Sequence, residues 1–206
     1  MKLKRILSLA LSGVLAVSML TACGIGGGAG LSGNSIKEDT NAVRRAMNTE
    51  LDDQNQGTLN YTTDRDLTNA TAAVARTLTE AEAKAATKDG AIVSGTASNM
   101  MSRYVKYDTW TSGFDTYHPT TAAELTYVTA LVFDGSMTAQ EVGEAMASNV
   151  AKWDLEHANP ALNSFEGSVA AYKVTIEATD EDAKDISVWF VGLMLEQTPV
   201  QSSTAA

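Results

Sequence analysis

Two side chains in this 206-residue chain could do acid–base or metal chemistry at neutral pH, His118 and His157, which are its only histidines. A neutral imidazole beside a carboxylate can ligate a divalent cation or accept a proton as a general base. The carboxylate to set beside them is Glu124, at the edge of an apolar run. It reads either as a solvated flank or as a buried acid with a raised pKa. His157 follows Trp153 by four residues, so on a continuing helix its ring extends an apolar stripe. The plain reading is a helix-terminal histidine against the negative end of the dipole; the sharper one is a cavity histidine. His118 stands in "DTYHPTT", where His-Pro suits a surface turn. Residue types and spacing leave these alternatives open.

The stronger constellations are missing from the chain. It has no His-Glu-x-x-His zinc helix, no Gly-Lys dipeptide for a phosphate loop, no Gly-x-Ser-x-Gly elbow and no Ser-x-x-Lys. "DEDAKDIS" lacks the glycine and closing glutamate of a calcium loop and reads as a solvated hairpin turn. No catalytic residue, metal or cofactor is therefore assigned.

Cys23 is the only cysteine, and its surroundings give it another role. Lys2, Lys4 and Arg5 precede an apolar stretch, 6–20, too short to span a bilayer comfortably, which reads as a signal peptide over 1–22. Leu20-Thr21-Ala22-Cys23 resembles the lipobox of bacterial lipoproteins, in which the cysteine sulfur receives a diacylglyceryl group. Two acyl chains anchor stably where one gives only marginal binding. With its sulfur acylated, Cys23 is neither a nucleophile nor a disulfide partner. Removing the signal leaves 12 Lys and Arg against 25 Asp and Glu, a net charge of −13. Such a surface is repelled by nucleic acid and by anionic headgroups, so the expected hold on the membrane is the lipid on Cys23. The expected location is extracytoplasmic, at the bacterial cell surface.

Any site must be positioned by the elements that follow. Residues 23–34 form the lipidated cysteine and a Gly-rich tether, 35–197 are long enough for one domain, and 198–206 read as a disordered tail. Ser35-Ile36-Lys37-Glu38 reads as a capping box opening the first helix, with Val43, Met47 and Leu51 on one face. A second helix fits 64–88, capped by Thr63 or Asp64, with Leu67, Ala70, Val74, Leu78 and Ala81 as its stripe. Ile92-Val93 is a short extended candidate, and "LTYVTALVF" (125–133) suits strand or helix. Thr138-Ala139-Gln140-Glu141 is a further capping box, ahead of Val142, Met146, Val150 and Trp153. Residues 170–177 alternate as a strand with one wet face, and 186–195 are apolar at both parities, as in a central strand. Early helices and a late hairpin predict an α+β layered domain.

Three stretches also resemble the CAP superfamily, the cysteine-rich secretory, antigen 5 and pathogenesis-related-1 domain. "MNTELDDQNQGTLNYTTDRDLTNATAAVA" (47–75) is similar to the family's Asn-x-x-Arg helix, glycine and Leu-x-Tyr/Trp-Asp link, with Leu51 where the family has Arg. "AELTYVTALVFDGSMTAQEVGEAMASNVAKWDLEHANPAL" (123–162) has the rhythm of its Gly-Glu-Asn and Gly-His-x-x-Asn-Ile-Leu segments, with Ala123 and Leu125 in place of Gly and Asn. Trp189 fits the closing hairpin. The resemblance implies an α-β-α sandwich, with Glu124 as the cavity glutamate, His157 as the second cavity histidine and His118 as a candidate for the first. The expected function is a membrane-anchored, non-enzymatic domain binding an extracytoplasmic ligand or protein. The alternatives are an envelope or peptide hydrolase using His157 and Glu124, and a structural envelope lipoprotein.

Overall fold

A segment apolar at both parities must be covered on both sides, and 188–195 of the run 186–195 is covered so. The computed structural model describes residues 33–53, 59–93, 101–102, 104–105, 121–151, 163–178 and 184–200, all within the unit Gly33–Ala206. The elements, in order, are β1 (Ser35–Glu38), α1 (Thr40–Asp53), α2 (Arg65–Ala75), α3 (Glu80–Ala83), β2 (Ala91–Ile92), β3 (Leu125–Asp134), α4 (Ala139–Ala151), β4 (Asn163–Ile176) and β5 (Ile186–Pro199). They form an antiparallel sheet ordered β1-β4-β5-β3-β2, with β5 at its centre. The fold is α+β.

Side-chain alternation divides the core between the two sheet faces. On one face Val43, Met47 and Leu51 of α1 and Val142, Met146 and Val150 of α4 cover Val169, Ala171, Trp189, Val191, Leu193 and Leu195. On the other, Leu67, Ala70 and Val74 of α2, with Leu78 and Ala83, cover Val128, Ala130, Val132, Ala170, Val174 and Phe190. Helices thus lie on both faces of the sheet. The α1–α4 approach is close because α4 carries Gly143; a Cβ there would lie 2.5 Å from Ala46 Cβ and 2.6 Å from the Val43 carbonyl oxygen. On the opposite face, Met101 and Thr71 occupy the space that a Cβ on Gly192 would need.

The ambiguous run 125–133 is strand β3, and the short extended candidate is β2. Asp64 caps α2, accepting from Leu67 N at 2.7 Å. The Thr138–Glu141 box closes reciprocally, Thr138 N donating to the carboxylate at 2.7 Å and Glu141 N to Thr138 Oγ1 at 3.2 Å.

Five expectations are corrected. Ser35–Glu38 is a strand and not a helix start, because the outer edge of β4 takes its backbone, Ser35 opposite Thr175 through Glu38 opposite Tyr172. The helix read over 64–88 ends at Ala75 and restarts at Glu80, where Thr79 and Glu82 form another capping box. The break is satisfied from a distance: Asn34 Nδ2 donates to the carbonyls of Ala75 (3.0 Å) and Leu78 (2.8 Å), and Asn34 N to that of Arg76 (3.0 Å). Gly33 and Asn34, read as tether, are therefore docked on the end of α2. The wet face of β4 is confined to its end, since 167–172 are buried under helices on both sides. Finally, β5 takes in Thr198 and Pro199, two residues read as tail.

Candidate functional site

At the end of the sheet where β3 and β4 begin and β5 finishes, two buried amide side chains hold the chain that leads to Glu124. Asn163 is 2% exposed and opens β4 opposite Pro199, while Gln197 is 1% exposed and stands opposite Leu125. Asn163 Nδ2 donates to the Thr121 carbonyl at 3.1 Å, and its Oδ1 accepts from Ala123 N at 3.2 Å. Gln197 Nε2 donates to the Ala123 carbonyl at 2.9 Å. A primary amide carries both donor and acceptor, so it can stand in for a strand partner to backbone that has left the ladder. Residues 121–123 are fixed in this way one residue before Glu124.

Glu124 itself is exposed, which selects the solvated reading over the buried acid. His118 and His157 lie outside the described residues, as does Trp153. By sequence, His118 is three residues before Thr121 and His157 six residues before Asn163.

Its outer wall is held by a third amide. Asn48, on α1, accepts from Tyr61 N at 2.9 Å and donates to the Tyr61 carbonyl at 2.9 Å. Thr62 then pairs with β4, its N donating to the Gly167 carbonyl at 2.8 Å and its carbonyl accepting from Val169 N at 3.0 Å. The Tyr61 ring fills the space left by the missing side chain of Gly167, where a Cβ would approach it to 2.5 Å. Its hydroxyl is fully buried without a hydrogen-bond partner, and burial pushes the phenol pKa far up. Thr129 Oγ1 is likewise buried and unpaired. Uncompensated hydroxyls carry a desolvation penalty.

On the α2 side, this end is polar. Glu166, Glu196 and Thr126 form one cross-strand row, and Ser164 and Thr198, whose hydroxyls bond at 2.6 Å, lie in the next. Burial raises the Glu196 carboxyl pKa, and the charges of Asp64 and Glu166 raise it further. Among the described residues no group of three or more His, Cys, Asp or Glu is arranged to hold a metal ion. No described helix is long and apolar enough to cross a membrane.

Neither Asn163 nor Gln197 was marked by sequence as a site residue, although a signal existed. Each is a strand-disfavoured or uncharged polar residue that closes or opens an apolar strand, where burial forces its amide to find backbone partners. The fold and corner define a three-layer α+β domain with a polar end clamped by amides. Comparison with protein-family models, curated proteins and solved structures finds no match.

Proposed function

We propose that this protein is a membrane-anchored extracytoplasmic lipoprotein whose CAP-like domain binds a ligand or partner without catalysing a reaction. One structural observation supports the binding domain above others: Asn163 and Gln197 tie the segment before Glu124 to the start of β4 and the end of β5, so Glu124 stands at a polar end of the sheet whose backbone is held by buried amides. Helices on both faces and a late antiparallel hairpin are in keeping with the CAP resemblance. The basic flank, apolar core and Leu20-Thr21-Ala22-Cys23 support the anchor.

The exposure of Glu124 favours binding over hydrolysis, because a general acid working near neutrality needs the burial that raises a carboxyl pKa. Melting the domain from Gly33 onward with zinc and then with chelator, near pH 7.5, tests the choice. The reading predicts no zinc-dependent shift. A bound ion would add about 2.7 kcal/mol at a hundredfold excess over its dissociation constant. An upward shift lost in both Glu124→Gln and His157→Ala would establish a metal site and reverse the preference for a metal-free module.

A further inference from the structure

Thr40, Arg44 and Asn48 follow one another at four-residue intervals on α1 and so share one stripe of the helix, beside the outer edge of β4. The first and last of them are engaged with backbone. Thr40 Oγ1 accepts from Ala171 N at 3.0 Å, and Asn48 holds both the N–H and the carbonyl of Tyr61, ahead of the Thr62 bridge to Ser168. Arg44, between them, is barely engaged. Its Nη1 reaches the Tyr61 carbonyl only at 3.5 Å, and that oxygen already accepts from Asn48 Nδ2 at 2.9 Å. Its Nε is buried without a partner, and among the described residues its Nη2 makes no hydrogen bond and the guanidinium forms no ion pair.

A half-buried cation without a counter-ion is out of place in a chain with 25 Asp and Glu. Leaving a charged donor desolvated and unpaired costs more than leaving a neutral one, and a planar guanidinium recovers that cost best from a carboxylate, whose two oxygens match its fork. Asn60 adds a second donor. It is exposed next to Tyr61, and its Oδ1 is taken by Asn48 Nδ2, which leaves its own Nδ2 for a ligand. From this juxtaposition, an uncompensated Arg44 beside an amide that Asn48 has already oriented, we propose that the wall between α1 and Tyr61 binds a small molecule through a single carboxylate group. A monoanion fits better than phosphate or sulfate, because so acidic a chain penalises each further negative charge brought to one guanidinium. This binding requires neither the lipid anchor nor the CAP resemblance.

Thermal melts of the full chain in non-ionic detergent, in sodium acetate against sodium chloride at equal ionic strength and neutral pH, test it. Acetate is expected to raise the midpoint saturably, by about 1–3 °C, as the site fills. Arg44→Gln should abolish that saturable rise. Asn60→Ala, at an exposed position, should melt with wild type in chloride and show a clearly smaller rise in acetate. No saturable rise in wild type overturns the site, and so does a rise that Arg44→Gln retains. Where Arg44→Gln does not fold, Asn60→Ala decides alone: a diminished rise supports the site, and an undiminished one overturns it. A larger saturable rise with phosphate than with acetate overturns the carboxylate as the ligand.

Discussion

The two ends of the sheet are built by different rules. At the end where the chain enters, the cross-strand row Lys173–Trp189–Phe133 is dominated by aromatic surface. Trp189 is 3% exposed, its indole Nε1 donates to the Met137 carbonyl at 2.9 Å, and Lys173 Nζ stands 5.6 Å from the ring centroid. Apolar burial and satisfied polar groups coincide there. At the far end, amides replace ladder bonds, a buried tyrosine hydroxyl goes unpaired, and two glutamates face each other across strands. Each of those features costs stability or gains little of it. One end holds the fold, and the other carries polar groups that hold it less.

The contrast is most severely tested at Trp189. Truncation to Ala removes a buried ring and its hydrogen bond, and is expected to lower stability by about 3–5 kcal/mol in a denaturant or thermal melt. A variant that melts with wild type would mean that this end does not hold the fold. Asn163→Ala should cost less, about 1–3 kcal/mol, because it leaves Ala123 N and the Thr121 carbonyl without their protein partner. Hydrogen exchange should then quicken at Ala123 more than in central β5. Uniform quickening would show that the corner is part of the same cooperative core.

Glu196→Gln runs the other way and is smaller. The raised pKa of Glu196 means that its charged form is disfavoured in the fold, first by burial and then by Asp64 and Glu166. Its contribution is fully present below the ordinary glutamate value of 4.5 and is lost as pH rises through the raised one. The variant should therefore match wild type in acid and exceed it near neutral pH. The carboxyl is only part-buried, so screening by solvent holds the gain to no more than about 0.5 kcal/mol. Melts across that range would contradict the picture if the gain appeared in acid and vanished at pH 7.

What sequence could reveal follows the same division. The central strand β5, the Asp64 cap and the Thr138–Glu141 box were legible because their signals are local: parity, a carboxylate before a helix, a hydroxyl three residues from a glutamate. The breaks were not. Ser35–Glu38 carries the letters of a capping box, yet the edge of β4 offers all of its backbone a partner, and Asn34 supplies the end of α2 from more than forty residues away. The buried outer face of β4 depends on small side chains, Ala170 and Ala171, that admit helices from both sides. For the site, Glu124 could be placed beside a strand but its exposure could not be read, and the Asn163–Gln197 clamp joins residues that only the sheet register brings together.

The lipid on Cys23 is the claim on which location depends, and it is tested most directly by metabolic labelling with a fatty-acid analogue. Wild type should incorporate label and partition with membranes. Cys23→Ala should take up none, and should appear in the medium or persist as an uncut precursor. Equal label in the variant would contradict the account.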